Sequence, residues 1–319
     1  MGDRRAAIVV WRPADPVFQG EARMAVLRRK AFLKSPGWFL APVLIYYVAF
    51  WIRPTISIIV ESFTDKAATF GFDNYARLFA QEQIRTAFIN TVLFTIGSAL
   101  IQFALAFALA LWLNKKFKFS NLVLFITLIP MAFPPAAVGI LWKTGLYRFG
   151  WLNSLLCSLG LMNPANPFDW MSLRNLNAVM LLIIVDTWTV LPSVMIILLA
   201  GLQNLNREFE EAGWVFGANK FRTLKDIVVP IMKPTIITAM LLRMIAAIQV
   251  WLIAVMIFGY NVTPFLVERI AYNVDVITFA KYARKDAYTI SVIVTAIVLI
   301  SVTLYLRVSK DRRSEGGAA

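Results

Sequence analysis

The stretch Glu208-Phe209-Glu210-Glu211-Ala212-Gly213, followed by Gly217 and then by Ile227-Val228-Val229-Pro230, decides how the chain is read. It is charged, compatible with a helix, and lodged between long apolar runs. A loop that only joined two such runs could be half as long. A polar insert of this length implies a contact with something outside the runs.

The surroundings are those of a membrane. Of 319 residues, 59% are hydrophobic and 16% charged, with a mean hydropathy of +0.68. Ordinary soluble domains are roughly half apolar and a quarter charged. Phe88–Leu113 and Asn177–Gly201 each hold about 20 apolar positions, enough to cross a hydrocarbon layer about 30 Å thick. The short alternating segments of a strand barrel are absent. The fold expected is therefore an all-α integral membrane protein. Its spans fall near Trp38–Ile59, Phe88–Leu113, Leu122–Trp142, Leu176–Leu199, Ile227–Phe258 and Tyr288–Arg307. The fifth is overlong, and Pro230 and Pro234 near its start put its true beginning near Thr235.

The net charge of +14 marks topology, not a nucleic-acid site, because the basic residues cluster beside apolar runs and no basic stripe with interleaved aromatics appears. With the amino terminus inside, inner segments hold 20 of the 32 Lys and Arg, outer segments hold 10, and Arg53 and Arg243 fall within spans. That bias places both termini in the cytoplasm and the chain in the cell membrane. Residues 1–36 read as a basic cytoplasmic tail without a signal-peptide core, with an interfacial helix around Phe18–Phe32. Residues 37–308 form the membrane domain, with the polar loop at about 204–230, and 309–319 a second cytoplasmic tail. One cysteine and no histidine exclude an internal disulfide, Cys/His metal sites and His-based triads.

Two features keep two readings each. The outer loop Thr144–Asn175, with Tyr147, Trp151 and Trp170, is either an interfacial anchor or a contact surface for an extracytoplasmic protein. Pro130, Pro134 and Pro135 in the third span indicate a broken helix, which suits either a translocation pathway or a packing kink.

Within the loop, Asn206 is an N-cap, and Glu208, Glu210 and Glu211 crowd the first turns, where the helix dipole favours negative charge. Ala212, Trp214, Val215 and Phe216 give a short apolar face, and Gly217 stops the helix in a left-handed turn. A second, basic helical stretch, Asn219–Asp226, ends before Pro230. The first helix fits the groove of a cytosolic partner, or rests as a connector on the lipid surface.

This stretch resembles the EAA loop of the membrane subunits of bacterial and archaeal ABC importers. That pattern runs Glu-Ala-Ala, three residues, Gly, nine residues, Ile, one residue, Leu-Pro. Here it is matched by Glu211, Ala212, Gly213, Gly217, Ile227, Val229 and Pro230. Gly213 replaces the second alanine, Phe216 an aspartate often found before the glycine, and Val229 the leucine. Arg53-Pro54, Ser62-Phe63, Phe72-Asp73-Asn74-Tyr75 and Asp186-Thr187-Trp188 with Pro192 extend the resemblance over about residues 40 to 308. It is similar to the larger permease of maltose transporters, without that subunit's extra amino-terminal spans and large periplasmic insertion.

The resemblance implies a six-helix bundle of the type I ABC importer permease kind, with a cytoplasmic coupling helix. Glu210, Glu211, Ala212, Gly213, Phe216, Gly217 and Pro230 are its expected contacts to an ATPase, with Glu211 as the charged contact and Gly217 setting the turn. Expected partners are a second homologous permease, a cytosolic ABC ATPase dimer, an extracytoplasmic binding protein and membrane lipid. ATP and Mg would bind the ATPase, since this chain has no Gly-x-x-x-x-Gly-Lys-Ser/Thr loop and is itself no enzyme. The expected cargo is a carbohydrate or a related polyol.

Polar residues inside spans are candidates for the substrate path: Gln102, Asp186, Trp188, Gln249 and Trp251. Asp186 either touches substrate or pairs with a basic group such as Arg243. Buried tryptophan is either a sugar platform or ordinary packing. Related sugar permeases often carry several polar residues after the position of Arg243. Here Met244–Ile253 is almost wholly apolar, so either a paired permease supplies the site or the solute is not a simple sugar. A self-sufficient secondary transporter or channel is the rival, and would need internal repeats and a mid-membrane carboxylate pair.

Overall fold

The computed structural model describes residues 39–64 and 69–310. These fall into two compact units divided after Ser57. The tails expected over 1–36 and 309–319 lie outside the described residues, except that Ser309 and Lys310 end the last helix.

Helix α1 runs over Ala41–Ser62, with a π-helical stretch at Val48–Ile52. No residue of Ala41–Ile52 is buried, and Tyr46 stacks on Phe50 at 5.1 Å between centroids. A stretch apolar on every side and exposed among the described residues is suited to lipid or to another subunit.

The second unit is built on α3 (Glu82–Asn114) and α7 (Asn175–Gln203), which form its most extensive helix pair. Helix α9 (Lys220–Ile248) packs on both, and α12 (Ala283–Lys310) on α9. Their mean hydropathies, near or above the 1.7 of α9, and their lengths of 23 residues or more suit membrane spans. Short α2 (Asp73–Ala80) is tied to the start of α12. Arg77 pairs with Asp286 at 2.7 Å and lies 3.8 Å from the Tyr282 ring centroid, and Gln81 bonds the same carboxylate. Lys285 reaches Glu61 at 2.6 Å.

Two expected spans are interrupted. The third is two helices, α4 (Ser120–Leu128, continued as a 3₁₀ turn to Ala132) and α5 (Pro135–Leu146), bent by 97°. Proline removes an amide donor and clashes with the preceding turn, so Pro130, Pro134 and Pro135 account for the corner. The fifth departs from expectation at both ends. The helix is already formed at Lys220, ahead of the membrane entry expected near Thr235, because the π-helical turn Thr223–Val228 carries it up to Pro230, which sits in the first turn of its α-helical part. The basic stretch beginning at Asn219 therefore continues through Pro230. At the far end α9 stops at Ile248, and a separate helix α10 (Leu252–Phe258) follows. Five helical runs among the described residues can cross a membrane, and the bent pair makes a sixth. Helices α6 (Trp151–Ser158), α8 (Arg207–Val215) and α11 (Leu266–Ala271) lie in the connections.

Helices α5 and α10 pack against each other at Gly139, where an added Cβ would overlap Met256. One apolar core gathers Phe94, Val138, Val185, Ala247 and Phe265. A second gathers Ala106, Val194, Leu198 and Ala239.

Candidate functional site

Helix α8 forms as its residues dictate. Asn206 Oδ1 accepts from the Glu208 amide at 3.3 Å, and Glu208 and Glu210 sit in the first turn. At the other end the Ala218 amide donates to the Gly213 carbonyl (2.9 Å) and the Gly217 amide to that of Trp214 (3.0 Å). This paired closure requires a left-handed residue, and Gly217 supplies it at φ +80°. Asn219 then caps α9, accepting from the Arg222 amide at 2.8 Å.

Gly213 is the buried residue of α8. A Cβ there would stand 2.6 Å from Ile227 Cδ1, so the absent side chain lets α8 settle on the first turns of α9. The rest of the helix faces outward. Glu211 and Ala212 are exposed, Glu210 is half-buried, and Val215 and Phe216 are 84% and 90% exposed. Trp214 and Phe209 are about half exposed. Pro230, thirteen positions after Gly217, is exposed in the first α-helical turn of α9 after the π segment. The apolar face read from the sequence is thus a protruding knob, fixed at its base and uncovered among the described residues.

The intramembrane candidates separate into two groups. Asp186 pairs with Arg243 at 2.5 Å, and Gln102 donates to the same carboxylate oxygen at 2.8 Å. Arg243 also donates to Ser98 Oγ at 3.0 Å. All four residues are buried. They form a layer between the two apolar cores: along α3 it falls between Phe94 and Ala106, along α7 between Val185 and Val194, and along α9 between Ala239 and Ala247. Gln102 Oε1, Arg243 Nε, Thr95 Oγ1 and Thr189 Oγ1 in this region have no hydrogen-bond partner among the described residues. The arrangement holds three helices in register through one shared carboxylate.

Trp188, two residues on, turns instead to the corner of the bent pair, stacking near Phe133 (6.3 Å) and edge-on to Trp142 (6.0 Å). Pro192 leaves the Trp188 carbonyl without its helical donor, which softens α7 at this point. Gln249 and Trp251 were expected in mid-span but occupy the break between α9 and α10. Gln249 ends α9 and is exposed, Trp251 is half-buried, and no hydrogen bond joins either to the Asp186 group.

Sequence reasoning missed a second polar cluster between α10 and α11. Glu268 and Arg269 are buried; Glu268 accepts from the Asn261 amide at 2.9 Å, and Arg269 donates to Asn261 Oδ1. Burial holds the Glu268 carboxyl above its ordinary range, against the opposing pull of the Asn261 amide and Arg269. Asn90 and Thr91 of α3 bond the backbone at Pro264 and Leu266, pinning this segment to the bundle. The available signal was an adjacent Glu-Arg pair following Pro264 in an otherwise apolar run.

Residues 102–314 match the family described as "Binding-protein-dependent transport system inner membrane component". The trehalose/maltose transport system permease protein MalF of Thermococcus litoralis is 29% identical over 247 residues, spanning 76% of this chain and 80% of that protein. The arabinooligosaccharides transport system permease protein AraP of Bacillus subtilis is 26% identical, over 68% of this chain and 70% of its own. The sulfoquinovosyl glycerol transport system permease protein SmoG of Agrobacterium fabrum is 27% identical, over 86% and 89%. In fold, a chain of the bacterial alginate ABC transporter, crystallised with an alginate pentasaccharide-bound periplasmic protein, superposes with a TM-score of 0.72 at 21% identity, covering 93% of this chain and 98% of that one. With two thirds of its length matched, from Gln102 through α8 and α12, the chain belongs to the binding-protein-dependent transport system inner membrane components, a permease family of ABC transporters.

Proposed function

We propose that the chain is one of a pair of permease subunits that import a carbohydrate or related polyol handed over by an extracytoplasmic binding protein. A cytosolic ATPase dimer binding ATP and Mg drives the cycle. The observation that carries the ATPase contact is α8: a rigidly capped helix whose Glu211, Val215 and Phe216 project from the bundle while Gly213 anchors it to α9. A helix presenting aromatic and aliphatic anchors beside a carboxylate suits a groove in a partner. Its attachment to α9 passes a push on α8 to the helix that bears Arg243. The saccharide reading rests on what the relatives carry, namely trehalose or maltose, arabinooligosaccharides and sulfoquinovosyl glycerol. On this reading α8 and both termini face the cytoplasm, and the bent pair and the α9–α10 break border the path.

Co-expression with the neighbouring ATPase and permease tests the contact. Phe216→Ala with Glu211→Ala is expected to lower ATPase co-purification and uptake together. Unchanged association and uptake would remove α8 from the coupling role. A thermal-shift screen of the binding protein against saccharides and polyols tests the cargo, with a shift by amino acids alone as the contrary result.

A further inference from the structure

A cleft of about 590 Å³ lies between the turn after α3 and helix α8. Asn114, Lys115 and Lys116 line it from one segment, and Arg207, Glu210 and Glu211 from the other. Among the described residues none of these five charges forms an ion pair, so opposite charges face the same space without neutralising each other. Through Lys116 and Gln203 the cleft adjoins a second one of about 350 Å³, lined by Leu113, Leu124 and Leu199. One compartment is charged with both signs, and its neighbour sets three leucines beside Ser120, Asn121, Lys116 and Gln203.

The depth of the site is marked by its own turn. Trp112 packs on Phe117 at 4.7 Å, and Lys118 lies over the Phe119 ring at 5.7 Å. Aromatic rings with basic residues at the end of a span mark the headgroup layer of a bilayer. Lys116 also holds a left-handed backbone, φ +49°, a conformation that glycine or asparagine adopts at less strain. The turn keeps a cation where its geometry does not call for lysine.

We propose that these joined clefts bind a glycerophospholipid whose headgroup carries both a phosphate and a primary ammonium. Lys115 and Lys116 take the phosphate, half-buried Glu210 takes the ammonium, and the Leu113–Leu124–Leu199 compartment takes the start of an acyl chain. Basic pockets between spans are a known form of lipid recognition. The three leucines, set beside Ser120 and Asn121 and next to the charged compartment, favour lipid over a protein segment, because one occupant must pass from a charged end through a polar neck to an apolar chain. The site borders α8 and so couples the surrounding lipid to the element proposed to meet the ATPase.

The test is lipid retention by native mass spectrometry. The purified complex is exchanged into micelles doped with phosphatidylethanolamine, phosphatidylglycerol or phosphatidylcholine. Retention of the first is expected to exceed the others, and Lys115→Ala with Lys116→Gly is expected to lower it about tenfold. The glycine preserves the left-handed turn, and an unchanged melting midpoint in phosphatidylcholine shows that the variant folds. Excess glycerophosphoethanolamine, the headgroup without acyl chains, is expected to leave retention unchanged; full displacement would assign the site to a free phosphate ester. Equal retention of the three lipids, or preference for phosphatidylglycerol, would overturn the proposal. So would loss of ATPase association in the variant with lipid retention intact, which would assign the cleft to a protein partner.

Discussion

Asp186 and Arg243 show what a buried charge does when it has a partner. Removing one member of such a pair leaves the other stranded and costs about 3–5 kcal/mol, whereas replacing both by apolar residues of similar size is often neutral. Asp186→Leu is therefore expected to lower the melting midpoint of the solubilised protein sharply, and Asp186→Leu with Arg243→Met to restore most of it. Additive losses in the double variant would show that the two residues act separately. Gly217 is decided by backbone instead. At φ +80° an alanine costs about 1–2 kcal/mol and an asparagine less, so Gly217→Ala should loosen α8 and weaken ATPase association more than Gly217→Asn, as read by co-purification. Glu268 gives a pH dependence. Burial raises its pKa above the ordinary glutamate value of 4.5, so the folded protein keeps a proton that the unfolded chain has released. Its contribution is complete below that value and is lost as pH rises through the raised pKa. Glu268→Gln keeps an oxygen to accept the Asn261 amide and removes the titration. A melting series upward from pH 4.5 should fall for the parent relative to a flatter line for the variant.

At the scale of elements, the sequence shows most clearly what depends on nearest neighbours. Span length, the Asn206 cap, the Gly217 stop and the proline corner were all legible, because each is set by apolar run length, a side-chain oxygen, a missing Cβ or a missing amide. Two boundaries were not. A π-helical turn absorbed the approach to Pro230, which local propensity does not encode, and the α9–α10 break at Gln249–Trp251 lies in a run with no glycine or proline to mark it. What fixes that break is tertiary: α10 packs on α5 across Gly139. Gly139→Leu should therefore wedge the two half-helices apart and reduce uptake, while leaving α8 in place and ATPase association intact. Met256→Gly, which removes the Cβ that the new side chain would overlap, is expected to recover part of the uptake. A loss of uptake that Met256→Gly does not relieve would mean that the α5–α10 contact is not the seat of the effect.

At the scale of the whole molecule, charge and the order of the spans together predict an orientation. Phe216 follows α8, before α9 begins, and Phe279 lies after α9 and before α12; both are almost fully exposed. A single span, α9, separates the two segments, so one must face the cytoplasm and the other the outside. The Lys and Arg contents of the loops favour one of the two orientations, since the segments expected inside hold 20 of 32 basic residues by the sequence count and the segment around Phe216 belongs to them. Cys157, the one cysteine, is partly exposed and has to be removed first. In a Cys157→Ser background, Phe279→Cys should react with a membrane-impermeant maleimide on intact cells, and Phe216→Cys only after permeabilisation. A reversed pattern would invert the topology and take α8 away from any cytosolic ATPase, and labelling of both on intact cells would mean that α9 does not cross the membrane. The carboxylates that give α8 its acidic first turn weigh little in such sorting, which responds to Lys and Arg. On the expected orientation the polar loop would owe its side of the membrane to the basic residues from Arg207 to Lys233, whereas its shape comes from Asn206, Gly213 and Gly217.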